Sequence, residues 1–196
     1  MIIDPKTIDK KDVYKLLTGA IVPRPIAWVS TVSKEGVYNL APFSFFTVAS
    51  RNPPTLCLSI GPGIGEREGT MKDTLRNAMD TGELVINIVS QSLGQKMQMS
   101  SGNFQAEVDE FLQVGVTPSE SVGVRPPRVL EAPISMECKV NDIISVGTDH
   151  LVLARLVYYH IKDEIYMEGN KVDLLKLEPI GRLAGGYAKV NEIFEL

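Results

Sequence analysis

Ile26-Ala-Trp-Val-Ser-Thr-Val32, Lys34-Glu-Gly36 and Val37-Tyr-Asn-Leu40 follow one another along the chain. The first run has the β-branched and aromatic content of a strand, the second is a glycine-bearing turn, and the third resumes the strand. The stretch therefore reads as a β-hairpin. The β signal continues outward from it. Phe43 to Ala49 and Thr55 to Ile60 are apolar runs separated by Arg51-Asn-Pro-Pro54, whose prolines interrupt pairing. In Leu56-Cys-Leu-Ser-Ile60 the alternate apolar residues share one face. Glu83 to Val89, Ala132 to Val140, Ile143 to Val146, Leu151 to Ile161 and Glu164 to Met167 carry the same pattern further.

Helical segments are fewer. Asp9 to Leu17 is amphipathic and stops near Gly19, a second helix runs from Asp73-Thr74 through Leu75, Ala78 and Met79 to Gly82, and a third covers Gln91 to Met99. Phe104 to Arg128, with three prolines, is irregular. Strands outnumber helices by about two to one and arrive at hairpin spacing, which predicts a mainly β protein with short helices: an antiparallel barrel rather than a doubly wound sheet.

The chain has 196 residues, 44% of them apolar and 22% charged. That suits a single globular domain over residues 1–196 and excludes disordered, collagen-like and low-complexity classes. No stretch has the run of apolar residues that a membrane-spanning helix needs. Met1 to Asp12 carries charges where a signal peptide needs an apolar core, so a cytoplasmic protein is expected. The net charge is −4 and the basic residues are scattered, which argues against a nucleic-acid partner. Two distant cysteines, Cys57 and Cys138, fit reduced core thiols and neither a disulfide framework nor a zinc module. With only His150 and His160 as histidines, no metal site is expected and no Ser-His-Asp arrangement is readable.

Four short motifs remain. Gly61-Pro-Gly63-Ile-Gly65 follows a strand, but a dinucleotide fingerprint would place its third glycine at Glu66, where a carboxylate repels pyrophosphate. A mobile surface loop is the better reading. Lys72-Asp73-Thr74 opens a helix, where free amides, the helix dipole, a lysine and a hydroxyl favour an anion. The same residues also fit ordinary N-capping by Asp73 or Thr74. Asn39-Leu-Ala-Pro-Phe-Ser44 interrupts pairing at Pro42, which leaves neighbouring polar groups for a ligand or marks an edge strand. Asp149-His150 sets a carboxylate beside an imidazole, an arrangement that tunes charge near neutral pH and that a solvated turn explains equally well.

Taken together, Arg24-Pro-Ile-Ala-Trp-Val-Ser-Thr31, Asn39-Leu-Ala-Pro-Phe-Ser-Phe-Phe46, Lys72-Asp-Thr74, Glu131-Ala-Pro133, Glu137-Cys138 and Asp149-His150 resemble the flavin reductase-like, FMN-binding split-barrel family. The likeness runs from about Val13 to Val190. It implies an antiparallel six-stranded Greek-key split β-barrel, usually a homodimer, with FMN (or FAD) near the subunit interface and NAD(P)H as substrate. It implies that Ser30 and Thr31 lie along the flavin and that Asn39, Ala41, Pro42 and Ser44 contact its ring and ribityl chain. Lys72 and Thr74 would hold the phosphate, and the anion reading of that helix start then outranks capping. His150 would sit by the nicotinamide or isoalloxazine as the catalytic side chain, and the segment from Arg182 to Tyr187 would close over the flavin. The implied activity is an NAD(P)H:flavin oxidoreductase supplying reduced flavin to a partner monooxygenase. The alternative is a flavoredoxin-like FMN electron carrier without NAD(P)H activity, and a third class is a flavin-free or haem-binding sensor on the same barrel. The loop at Gly61 to Gly69 and Phe104-Gln-Ala-Glu107 depart from the family's pattern on the substrate side.

Overall fold

Asp9 accepts the amide of Lys11 and opens helix α1 (Lys10–Ala20) in a computed structural model that describes residues 1–190 and 192–195. Strands β1 (Ala27–Val32), β2 (Tyr38–Phe43), β3 (Phe46–Arg51) and β4 (Pro54–Ile60) follow, then helix α2 (Asp73–Thr81) and strand β5 (Glu83–Ile88). Helix α2 ends as its sequence suggests, with Gly82 in the left-handed region at φ 69° and its amide on the carbonyl of Ala78. A 3₁₀ turn over Gln91–Leu93 leads into α3 (Gly94–Met99). The stretch expected to be irregular holds one short helix, α4 (Glu110–Val114), capped by the Asp109 carboxylate on the amide of Leu112 and closed by Gly115. It also holds the two-residue strands β6 (Pro118–Ser119) and β7 (Arg128–Val129). The long strands β8 (Ile134–Val146) and β9 (Asp149–Ile161) come next. After them lie β10 (Tyr166–Met167), β11 (Lys171–Val172), α5 (Leu174–Leu177), β12 (Ile180–Arg182) and β13 (Tyr187–Lys189).

Among the described residues the main ladder has seven antiparallel strands in the order β2-β1-β5-β8-β9-β4-β3. The hairpin read from the sequence is β1–β2, with Ser30 opposite Leu40. Two expected strands, Ala132 to Val140 and Ile143 to Val146, are one continuous β8 with pairing irregularities at Glu137/Cys138 and Val140/Asp142. Glu164 to Met167 contributes only β10, outside the main sheet.

The count of seven, where the resemblance implies six, has a simple origin. The run from Tyr38 to Arg51 turns a corner at Ser44-Phe45, so β2 forms one edge of the ladder and β3 the other. A flat sheet of this width would hold its edges about 29 Å apart. The three Cα steps from Phe43 to Phe46 span at most about 11 Å. The sheet must therefore curl until its two edges meet at this corner, which makes it a split barrel rather than an open sheet. The amide of Ser59 donates to the carbonyl of Phe45 at 2.8 Å and holds the corner on β4.

Curling gives the sheet an inside and an outside, and β1 is buried on both. Ala27 and Val29 face the inner core with Leu56, Leu58, Ile60 and Ile86, so the shared face read in β4 is the barrel interior. Ile26 and Trp28 face an outer core covered by α3 and α4, among them Met97 and Phe111. Polar groups caught between the layers are satisfied internally. Asn87 donates to the carbonyl of Trp28 at 3.0 Å and accepts from the amide of Val129 at 3.0 Å and the hydroxyl of Ser135 at 2.8 Å. Trp28 donates its indole N–H to Ser100 Oγ at 2.8 Å. No helix among the described residues is long and apolar enough to cross a membrane.

Arg24, only 5% exposed, joins the layers at the corner. Its Nη1 donates to the carbonyls of Thr18 and Ile21 at 2.8 and 3.0 Å, its Nη2 to that of Leu183 at 3.0 Å, and its Nε to Ser44 Oγ at 3.3 Å. One guanidinium thus ties the end of α1, the β12–β13 segment and the β2–β3 corner. Arg24→Met keeps the stem and removes every donor, leaving buried carbonyls unpaired. It is expected to lower stability by roughly 2–4 kcal/mol, read as a fall in the urea midpoint with an unchanged m value.

Candidate functional site

Where α2 meets β2, a cleft enclosing about 600 Å³ opens to solvent. Asn39, Ala41, Pro42, Lys72 and Thr74 line it together, and these are five of the residues singled out in the sequence. Pro42 cannot donate to the ladder, and β2 is an edge strand, so its cleft side is free of pairing. Lys72 occupies the N-cap position of α2 but makes no capping bond with its side chain, and neither Asp73 nor Thr74 caps the helix. The capping account of this motif therefore fails. The first-turn amides keep their donors for whatever enters the cleft.

The donors are well suited to an anion. Lys72 makes no ion pair among the described residues; its ammonium lies 5.4 Å from the centre of the Phe43 ring. Burial pulls it below the ordinary lysine value, while the charge of Asp149 acts the other way. Thr74 is fully enclosed, and its oxygen accepts the Asn39 amide at 2.9 Å, which leaves its own proton for an acceptor in the cleft.

The glycine-rich loop forms the opposite wall and folds back on itself through internal bonds. The amide of Gly63 donates to the carbonyl of Thr70 at 2.8 Å. A Cβ on Gly63 would lie 2.3 Å from the carbonyl oxygen of Arg67, so only glycine permits this fold-back. Arg67 anchors the loop with two bonds to the Asp73 carboxylate, at 2.5 and 3.1 Å, and one to the carbonyl of Phe104 at 2.9 Å. Glu110 completes the wall; its Oε2 accepts the amide of Leu40 at 2.5 Å. Burial, against the pull of that amide, pushes its carboxyl up to about 7. Arg67 and Glu110 escaped the sequence reading. Asp109 and Gly115 do bracket Glu110 with ordinary helix-start and helix-stop residues, but nothing local says that it faces a cleft.

The other expected site residues lie elsewhere. Ser30 and Thr31 are fully buried. The Ser30 hydroxyl donates to the carbonyl of Pro127 at 2.5 Å, and Thr31 Oγ1 accepts from Asn77 at 3.1 Å, so neither side chain reaches the cleft. Ser44 lies at the far end of β2, in a second, apolar cleft of about 900 Å³ beside Leu17, Ile21, Phe45 and Arg24. Arg182 stacks its guanidinium 4.7 Å above the Tyr187 ring, whose hydroxyl bonds Gln98. Both belong to the β12–β13 pair, which docks on Arg24 through the Arg24–Arg182 bridge. His150 pairs with Ile60 and Ser145 at the start of β9 without lining the cleft. Its neighbour Asp149 accepts from Ser59 Oγ at 3.3 Å and lies against Gly61, where the glycine-rich loop begins. His160, at the other end of β9, bonds the buried Glu137 at 2.6 Å. Both cysteines are free, and no cluster of metal-ligating side chains occurs among the described residues.

Comparison with known proteins gives the family of this fold. The family model of the flavin reductase like domain matches residues 19–175. The chain belongs to the flavin reductase-like family. Nitrilotriacetate monooxygenase component B from Bacillus cereus superposes with a TM-score of 0.95 at 38% identity, over 100% of this chain and 98% of that one. The 2-nitrobenzoate 2-nitroreductase NbaA of Pseudomonas fluorescens gives 0.90 at 28% identity, over 100% and 95%. An uncharacterised protein of Aquifex aeolicus (strain VF5) is 42% identical over 182 residues, 93% of this chain and 91% of that protein.

The raised carboxyl of Glu110 has a stability consequence. The folded state keeps a proton that the unfolded chain releases at ordinary carboxylate pH, so this residue's contribution to stability falls as pH rises toward about 7 and stays low above it. Glu110→Gln keeps an acceptor for Leu40 and removes the charge. Urea denaturation is expected to show variant and wild type alike near pH 5 and the variant more stable by about 2–3 kcal/mol at pH 8.

Proposed function

We propose that this chain is an FMN-binding NAD(P)H:flavin oxidoreductase that supplies reduced flavin to a partner monooxygenase. The observation that carries the reading is the half-buried, unpaired Lys72 at the uncapped start of α2, beside the free hydroxyl proton of Thr74. That donor set matches a terminal phosphate carrying close to two negative charges. FMN ends in such a group, whereas the phosphates of FAD are internal, and this favours FMN. Asn39, Ala41 and Pro42 then lie along the ribityl chain. Ser44 and the apolar cleft beside Phe45 lie where the ring would be held.

When bound, the flavin supplies the hydride-accepting chemistry, with NAD(P)H as donor. The chain's residues bind and orient: Lys72, Thr74 and the α2 amides fix the phosphate, and the rigid edge of β2 sets the direction of the tail. His150, near the mouth of the glycine-rich loop, faces the nicotinamide side in this reading, and Arg182 and Tyr187 form a flank beyond Ser44. Exposed apolar side chains around the second cleft, among them Leu17, Ile21 and Phe45, support a homodimer in which a second subunit covers the ring. The monooxygenase partner is supported by the 38% identity to a protein named as a monooxygenase component B.

The test joins binding and turnover. Lys72→Ala with Thr74→Ala is expected to weaken FMN binding by about a hundredfold or more, two charge-assisted or buried hydrogen bonds being lost, and to leave riboflavin affinity unchanged. Wild-type protein with FMN, held anaerobically, should lose its oxidised-flavin absorbance on addition of NADH or NADPH. A tightly bound flavin that stays yellow with both would identify an electron carrier instead, and equal FMN affinity in the double variant would remove the phosphate assignment.

A further inference from the structure

Glu110 is 7% exposed and stands in the wall of the cleft that ends at Lys72 and Thr74. One carboxylate oxygen, Oε2, takes the Leu40 amide, and no protein donor among the described residues reaches Oε1. The side chain also lines a second cavity beyond Asn39.

The charges around it do not neutralise it. From the glycine-rich loop comes Arg67, whose guanidinium is already committed to Asp73 and to the carbonyl of Phe104. From the start of α2 come Lys72 and Asp73, and from the preceding segment Glu107 and Asp109. The second cavity adds Lys34 and Arg76 against Glu35 and Asp80. Lys34 is paired with Asp80 and Arg76 with Asp73. On α3 the amine of Lys96 is held by the carbonyl of Gly115. An ionised Glu110 thus has no cation of its own, and a phosphate entering the cleft would meet it as a like charge in a partly dry site.

We propose that Glu110 is a specificity-determining residue of this cleft, which binds a proton together with a phosphate-bearing flavin, so that FMN is taken best with Glu110 neutral while riboflavin is taken irrespective of its charge. The inference rests on the phosphate reading of Lys72 and Thr74. Linkage makes it reciprocal: if a bound phosphate disfavours the ionised carboxylate, the proton on Glu110 must favour the phosphate by the same factor. Burial already pushes the group up to about 7 before any ligand enters, so small changes near neutral pH suffice to titrate it.

The experiment is a set of fluorescence titrations of the whole chain with FMN and with riboflavin at pH 6.5 and 8.5, for wild type and Glu110→Gln. FMN binding to the wild type is also followed by calorimetry at pH 7.5 in buffers of different ionisation heat. Wild-type affinity for FMN is expected to fall about tenfold across this range, one pKa unit of coupling being one factor of ten. Riboflavin affinity should stay level, and the variant should show no fall with either ligand. Calorimetry should show a net proton taken up by wild type, since the second ionisation of the phosphate, near pH 6, is already complete. Identical FMN profiles in wild type and variant would overturn the proposal and leave FMN binding intact. If the variant does not fold, the absence of proton uptake by wild type overturns it equally. Equal affinity of wild type for FMN and riboflavin at both pH values would overturn the phosphate reading, and this inference with it.

Discussion

Phe43 and Phe46 stand three residues apart in the chain and on opposite edges of a seven-stranded ladder. Chain connectivity allows that only if the sheet rolls until its edges nearly touch. The inner core, the outer core and the cleft all follow from this rolling. Rolling buries β1 on both faces and forces its polar side chains into internal bonds. Asn87 and Ser30 share one such network, which leaves Ser30 no role at the surface. Arg24 secures the corner from outside by gathering three carbonyls and the Ser44 hydroxyl.

The cleft exists because β2 is an edge. An interior strand would have neighbours on both sides, whereas β2 pairs only with β1 and turns its other side toward α2 and the glycine-rich loop. Pro42 suits that edge because it has no amide to leave unpaired. The amphipathic helix α2 packs Leu75 into the inner core and so presents its N-terminus at the cleft floor. Packing of one apolar face therefore places both the positive end of the helix and the Lys72 ammonium. Across the cleft, the close approach at Gly63 and the Arg67–Asp73 pair hold the loop against the same helix.

The cleft offers donors for an anion without being strongly cationic. Lys72 is unpaired, Arg67 is neutralised by Asp73, and Glu110 is poised between charge states by burial. In the proposed reading, Lys72, Thr74 and the helix amides fix the phosphate, and Glu110 sets the conditions under which it enters. The flavin reductase-like family supplies the fold; these particular side chains set what this member does with it.

Much of the architecture was legible in the sequence because its signals are local. The β1–β2 turn, the alternate apolar residues of β4, and helix α2 with its glycine stop depend on residues close in the chain. The motif at Lys72 to Thr74 was readable for the same reason, since helix ends announce themselves locally. What tertiary structure alone decided is which distant residues share a wall. Ser30 and Thr31 look identical in sequence whether a strand faces solvent or is covered on both sides, and only the rolled sheet with α3, α4 and α2 against it settles that they are buried. Arg67 lies in the loop before α2 and Glu110 beyond α2, β5 and α3, so their places beside Lys72 depend on the Gly63 contact, the Arg67–Asp73 pair and the bond of Glu110 to the Leu40 amide. The sequence by itself thus determined the elements and the position of the α2 start with its lysine and hydroxyl, because turns, caps and periodicity are short-range. The rolling of the sheet, the composition of the cleft and the raised carboxyl of Glu110 were decided by burial, which exists only once distant segments have met.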